Sequence, residues 1–454
     1  MKSLIAAGII AIICLGVYHP HQHAPFVLDD YYSVVRNPLI KNLSLYPQIW
    51  TSHLFDAHQT SGYIKYGYYR PILQSSWVLD YRLFGLNASG YQWLNLLVHA
   101  LNGFLIYILF GRLFASRALA LKASLLFCVL PTQEWVVRYV TGRGDELSAF
   151  FALLSLISLL WVFKSGLKSG YIFVFVFWLL SALTREVAIS YILYAFLLTS
   201  LRGAEGDEAI SERTAININR FCLYWVLIGL LPFLLLWSIV PKQGNVLVWH
   251  TFYFASAGLC LWLAQVRLRW FVVLFILCAS VSATQGRFWT TEEALLRHTR
   301  SLECWPRTVV AQQLLIKYDD DIPAIKDMAD HSRDPHIKAM WLRRLGIIYL
   351  EHRDLDNTLN YMTQALTIYP TDVDTLNALA VIFHYRGQEP QSLLFLERAY
   401  EINPNYPDTL RTLGIYYFIH KDFPQARDYL NRCLYFEPNN AQASQLLGLA
   451  NKMN

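Results

Sequence analysis

Residues 92–114 read QWLNLLVHALNGFLIYILFGRLF, an apolar run long enough to cross a bilayer core, which takes roughly 20 residues of α-helix. Its only formal charge, Arg112, stands near the far end. Asn95, His99 and Asn102 interrupt it at i, i+4 and i+7, so they share one helix face. In lipid such a polar stripe must face other helices or a water-filled cavity. From sequence, interhelical hydrogen bonding and contact with a substrate both stay open.

Working outward, eight further stretches have the same character: about 3–18, 119–131, 147–163, 170–184, 187–201, 221–240, 247–265 and 270–285. With 55% hydrophobic and only 16% charged residues, and a mean hydropathy of +0.30, the chain reads as a polytopic membrane protein rather than a soluble domain. The first stretch is short and follows Lys2, as in a secretory signal. The lack of a small-x-small cleavage site before His21, Gln22 and His23 favours a retained anchor. The net charge of +5 is spread through loops and excludes a nucleic-acid partner as the main reading.

Lys and Arg set the orientation. With the N-terminus inside, the inner loops hold Arg112, Arg117 and Lys122, then Lys164 and Lys168, then Arg202, Arg213 and Arg220, then Arg267 and Arg269. An odd count of nine spans places the C-terminal region outside, in a periplasm or an ER lumen. Of seven cysteines, Cys14, Cys128, Cys222, Cys260 and Cys278 lie in or beside spans, while Cys304 and Cys433 are far apart in sequence. No CxxC or metal-ligand spacing occurs, so neither a disulfide framework nor a metal site is expected, and no cofactor is called for.

Beyond about 290 the charge rises and helical periodicity takes over. Pro370, Pro404 and Pro438 are 34 residues apart, and Leu345-Gly346, Leu379-Ala380 and Leu413-Gly414 keep that register. Tyr349, Phe383 and Tyr417 repeat in step, as do Ala365, Ala399 and Cys433. This is the tetratricopeptide (TPR) pattern, in which small residues let paired helices approach and a proline closes each unit. The expected organisation is a membrane domain over 1–285 with an outer loop at 19–91, and a linker or degenerate repeat over 286–338. A TPR domain over 339–454 follows, with repeats 339–372, 373–406 and 407–440 and a capping helix 441–454. Stacked repeats form a curved surface suited to peptide, or serve as a structural cap. The fold class is therefore all-α: a membrane helical bundle with a C-terminal solenoid.

The charges that break the apolar pattern gather on the outer side. Asp29-Asp30 stand just beyond the first stretch, and packing two like charges raises at least one pKa, which suits a proton acceptor. A helix N-cap followed by a solvated turn explains them equally. Tyr68-Tyr69-Arg70-Pro71 follows; Glu134 lies after Pro131, then Gly142-Arg143-Gly144-Asp145, then Arg185-Glu186. Asp29, Asp30, Arg70, Glu134, Arg143, Asp145, Arg185 and Glu186 are expected at one membrane face. An ion pair such as Arg143 with Asp145 would serve structure alone; a shared face favours a site.

Leu28-Asp29-Asp30, Tyr69-Arg70-Pro71, Asn95 to His99, Gly142-Arg143-Gly144-Asp145 and Arg185-Glu186 occur in an order that resembles the GT-C glycosyltransferases. The likeness is to the transmembrane and tetratricopeptide-containing protein O-mannosyltransferases (the TMTC family) and their bacterial relatives. Leu130 departs from the pattern, which usually has His before this proline. The resemblance implies transfer of a sugar, mannose-type, from a polyprenyl-phosphate donor to Ser or Thr hydroxyls, in a bacterial inner membrane with a periplasmic TPR domain or an ER membrane with a lumenal one. Asp29 or Asp30 would be the catalytic base, and Arg70, Arg143, Arg185 and His99 would bind the donor phosphate. Asn95, Glu134, Asp145 and Glu186 would support them. The protein acceptor would use the TPR groove, and membrane lipid is the remaining partner. A transferase acting on lipid or glycan, and a non-enzymatic scaffold for envelope assembly, are the competing readings.

Overall fold

Pro131 fixes where the fold bends. Its ring disfavours helix at the preceding residue, so the helix Arg117–Val129 stops and a second apolar piece, Pro131–Val137, leaves at 52°. The carbonyls freed at the break are not wasted in the apolar interior. The Tyr18 hydroxyl donates to Leu130 O at 3.3 Å and the Ser282 hydroxyl to Val129 O at 2.9 Å.

The computed structural model describes residues 2–19, 25–27, 29–52, 54, 68–203, 218–237, 247–291, 294, 322–332 and 335–453. His21, Gln22, His23, Leu28, Arg213 and Cys304, and much of 286–338, lie outside them. Every described element is helical. Two compact units result: 1–35 with 69–306, and 36–68 with 307–454.

The first unit holds α1 (Lys2–Tyr18), then α3 (Pro71–Phe84), α4 (Ala88–Leu113), α5 (Arg117–Val129), α6 (Glu134–Val137) and α7 (Arg143–Ser165). It continues through α8 (Tyr171–Thr184), α9 (Ile192–Gly203), α10 (Ile218–Trp237), α11 (Leu247–Leu263) and α12 (Leu268–Gln285). The missing number, α2 (Pro38–Lys41), belongs to the second unit. Each of the nine expected stretches contains helix. Three described helices are long and apolar enough to cross a membrane, Ala88–Leu113, Val140–Ser165 and Leu268–Thr290, and the bent pair at Pro131 makes a fourth. Five others are apolar but shorter, and the stretch expected at 187–201 opens as a 3-10 helix, Glu186–Tyr191. Helix α3, inside the outer loop, is not among the expected elements.

Helices α1, α4 and α5 meet closely because Gly103 has no side chain. A Cβ there would sit 2.4 Å from Cys128 Sγ and 3.2 Å from Ile10 Cγ2. Large apolar side chains of α8 and α12, among them Phe173, Phe175, Trp270 and Ile276, point outward. A surface of that kind suits lipid rather than water.

The second unit contains α13 (Ile322–His331), α14 (Pro335–Glu351), α15 (Leu355–Ile368), α16 (Val373–Tyr385), α17 (Glu389–Ile402), α18 (Pro407–Ile419), α19 (Phe423–Phe436) and α20 (Ala441–Ala450). The helix pairs α14/α15, α16/α17 and α18/α19 fall at the three expected repeats, and α20 follows at 441–450. A Cβ at Gly346 would lie 2.8 Å from Met362 Cγ, and one at Gly414 2.7 Å from Leu430 Cγ, which is why small residues recur there. Ala365, Ala399 and Cys433 are fully buried in the same register. Helix α13 shares a core with α14 through Ile325, Ala329 and Trp341. The segment 36–50, inside the outer loop by sequence, folds as α2 and the 3-10 helix Leu43–Trp50 within this unit.

Candidate active site

The adjacent carboxylates have different surroundings. Asp30 is fully buried, and its oxygens accept hydrogen bonds from Val27 N at 3.2 Å, Thr141 N at 2.8 Å and Thr141 Oγ1 at 2.7 Å. It ties the loop after α1 to the turn that leads into α7. Asp29 is exposed, while its backbone N–H donates to the Tyr139 hydroxyl at 3.1 Å. Burial pushes the Asp30 carboxyl up to about 7, against the downward pull of the Thr141 and Val27 hydrogen bonds. Asp29 adds only the last, smallest push. The sequence argument, like-charge packing, thus names a contributor but not the main cause.

Arg143 is buried at the start of α7, where Gly144 leaves room for Leu73 and Arg185. Its Nε donates to Asn95 Oδ1 at 2.7 Å, its Nη2 to Tyr91 O at 2.6 Å, and its Nη1 pairs with Asp80. The sequence suggestion of an Arg143–Asp145 pair is corrected: Asp145 pairs with Arg185 instead. Residues two apart on a helix point to nearly opposite sides, so the two could not face each other. Burial raises the Asp80 carboxyl to about 6 in spite of the downward pull of Arg143.

Arg70, just before α3, makes a forked contact with Glu186, with Nε 3.0 Å and Nη2 2.8 Å from the carboxylate oxygens. This is the accessible pair of the unit's outer charges, the Glu186 side chain being 39% exposed. Glu134 pairs with Arg138 one turn on, at 2.8 Å and almost fully buried. Gln74, on α3 one turn after Arg70, is fully buried with neither amide atom bonded to protein.

Asn95 joins this network, donating to Tyr139 O at 2.9 Å while accepting from Arg143. His99, a turn further along α4, does not. Its Nδ1 lies 2.8 Å from the Tyr253 hydroxyl and its Nε2 3.2 Å from Cys128 O, with the ring stacked on Phe127. Asn102 donates to the same Tyr253 hydroxyl at 3.1 Å. All three residues of the stripe bond to other elements, while the Asn102 Oδ1 is buried without a hydrogen-bond partner. Cys14, Cys128 and His99 bring possible metal ligand atoms within 4.8 Å of one another. A chain of hydrogen bonds from Asn102 through Tyr253 and His99 to Cys128 O already engages both imidazole nitrogens.

Sequence reasoning missed Asp80, Arg138, Thr141 and Gln74. Arg138 stands four residues after Glu134 and was legible as a helical ion pair. Asp80 meets Arg143 across 63 residues, and nothing local marks it.

These features define a helical membrane-type unit, with paired charges where helices α3, α4 and α7 meet its loops, joined to a TPR array. Compared with curated proteins, the chain is similar to protein O-mannosyl-transferase F38B6.6 of Caenorhabditis elegans. The two are 32% identical over 158 residues, 34% of this chain and 22% of that protein. It is also similar to human protein O-mannosyl-transferase TMTC4, 28% identical over 180 residues, covering 37% and 24%. Drosophila melanogaster Tmtc1, another protein O-mannosyl-transferase, is 26% identical over 229 residues, covering 48% and 26%. The chain therefore resembles the TMTC proteins over a third to a half of its own length, and spans about a quarter of theirs. No protein-family profile matches it. Among solved structures it is similar to the first TPR of Spaghetti (RPAP3) bound to an HSP90 peptide, at 20% identity and a TM-score of 0.24, covering 25% of this chain and 91% of that one. The Sgt2 TPR domain of Aspergillus fumigatus gives the same identity and score over 78% of its length.

Proposed function

We propose that the protein is a membrane glycosyltransferase, moving a mannose-type sugar from a polyprenyl-phosphate donor to Ser or Thr hydroxyls on the outer or lumenal face. The observation that carries this reading is the unequal pair Asp29 and Asp30. One carboxylate is presented to solvent on a loop that the other, buried, pins against Thr141. Support comes also from the relatives named above and from the Arg70–Glu186 pair at the start of α3.

In this reading the nine apolar stretches are nine crossings, and the outer charges lie where a lipid phosphate would meet the interface. The acceptor oxygen attacks the sugar's anomeric carbon as its proton passes to Asp29, and the bond to the donor phosphate breaks with inversion. The departing phosphate takes the electron pair and is met by Arg70. Asp30 acts through the loop as a positioning residue. Arg143, paired with Asp80 and bonded to Asn95, ties α3, α4 and α7 together, and Arg185, paired with Asp145, ties the end of α8 to α7. The inner surface of the repeats would hold the acceptor protein.

The test is transfer of labelled sugar in isolated membranes supplied with polyprenyl-phosphate mannose. Asp29→Asn is expected to lower transfer by about 10²–10⁴-fold, the range for loss of a general base, at unchanged abundance. Unchanged transfer in D29N would sink the base assignment. No transfer by the wild type to protein, lipid or glycan would leave a scaffold as the better reading.

A further inference from the structure

The repeat array already binds something, and the occupant is this chain. Along the edge formed by the turns between repeats, acidic groups follow one another: Asp374 and Asp408, 34 residues apart as the second residues of α16 and α18, and Glu437, the residue directly after α19. Arg343 of the first repeat pairs with Asp372 at 2.8 Å and Asp374 at 3.2 Å. One repeat later the same position is Asn377, which bonds Thr409 instead. The arginine absent from that register is supplied by the segment between α1 and α3. Arg36 Nη2 lies 3.9 Å from Asp408, alongside Arg411 at 3.1 Å, and Arg36 Nη1 donates to the Tyr406 hydroxyl at 3.5 Å. That hydroxyl in turn donates to Asp374 at 2.6 Å.

The contact continues along the edge. Lys41 Nζ is 3.8 Å from Glu437, and its side chain is only 8% exposed. The Asn42 amide donates to Tyr435 O, and the hydroxyls of Ser44 and Tyr435 lie 3.2 Å apart. The segment is shaped for this use. Asn37 caps α2 through Leu39 N at 3.0 Å, and Asn42 caps the following 3-10 helix through Ser44 N at 3.1 Å. Neither helix is long enough to be stable alone, yet Leu39, Ile40, Leu45 and Ile49 are buried.

We propose that the turn edge of the TPR array, from Asp374 to Glu437, is a docking surface whose ligand is the chain's own basic segment 36–50, with Arg36 and Lys41 as its charged plugs. A peptide partner of the array must then take another face. In the chain, Asp29 and Asp30 precede Arg36 by seven and six residues.

The test uses the full chain in detergent with Cys304→Ser and Ile40→Cys, Ile40 being 1% exposed. The rate at which a maleimide labels the I40C thiol reports undocking. Adding Glu437→Lys sets two ammonium groups together at a nearly buried position and is expected to speed labelling about 10-fold or more. The exchanged pair Lys41→Glu with Glu437→Lys is expected to return the rate to within about twofold of the parent, as a restored pair should. Asp428→Lys, on α19 and 66% exposed, adds equal charge and should leave labelling unchanged. Labelling of the parent as fast as in urea would overturn the proposal, as would an exchanged pair that labels like the single variant. No step reads sugar transfer, so the outcome is independent of the proposed activity.

Discussion

The two units treat charge in opposite ways. In the apolar unit three buried guanidinium groups each meet a carboxylate: Arg143 with Asp80, Arg138 with Glu134, Arg185 with Asp145. In the repeat unit the pairs range from the largely buried Arg343–Asp372 to the open Arg386–Asp356, whose Asp356 side chain is 97% exposed. Buried charges cost several kcal/mol each to desolvate, so partnership is obligatory in the first unit and optional in the second. The first unit's pairs therefore fix helix register, while the second's mostly decorate a fold held by packing.

The sharpest way to break that contrast is to remove one partner in each unit. Arg143→Met leaves Asp80 buried without its guanidinium and is expected to cost about 3–5 kcal/mol, seen as a large drop in thermal midpoint in detergent. Adding Asp80→Leu to it should recover most of the loss, since no uncompensated charge remains. Arg386→Ala is expected to cost under about 1 kcal/mol. Equal effects in the two units would remove the distinction.

Acid sharpens it next, through Asp30. Its folded carboxyl stands at about 7 against an ordinary 3.8, raised by burial. Between those values the folded state holds a proton that the unfolded chain has released, so folding is favoured at the acid end. Stability should fall as pH rises from about 4 to 7 and then level off, by on the order of 4 kcal/mol at most. Asp30→Asn is expected to flatten that slope in detergent melts. A slope unchanged in D30N would assign the titration to other groups.

The same contrast explains what could be read from the chain beforehand. The periodicity of the repeats was legible because each carries its own copy of the packing rule: Gly346, Ala380 and Gly414 recur in register, with Gly346 and Gly414 set against large side chains of the following helix, although the first helix begins at Pro335 rather than 339. The apolar stretches were legible as helices for the same local reason. Pairings in the first unit were not, since Asp80 and Arg143 meet through tertiary structure alone. The nominated residues Asp29, Asp30, Arg70, Asn95, Arg143, Asp145, Arg185, Glu134 and Glu186 fall in connected elements, and His99 lies deeper among helices. The segment 36–50 escaped because its partner is a periodic acidic edge nearly 400 residues away.

The smallest expected effect tests whether the units differ at all in backbone strain. Each TPR helix pair turns through one left-handed residue: Arg353 at φ 59°, Gly387 at φ 70° and Lys421 at φ 63°. The position recurs every 34 residues, yet only one of the three is glycine. In the apolar unit Ala115, between α4 and α5, has φ 51°. A side chain in this region costs roughly 1–2 kcal/mol, offset in part by the greater chain entropy glycine loses on folding. Lys421→Gly and Arg353→Gly should thus each stabilise the array by about 0.5–1 kcal/mol, and Gly387→Ala should destabilise it by a similar amount. Amide hydrogen exchange across the full chain would read these as local opening free energies. Ala115→Gly should gain as much in its own unit, because the penalty arises between Cβ and the neighbouring backbone rather than from solvent. A gain confined to the repeats would mean that the apolar unit holds Ala115 by packing strong enough to hide the strain.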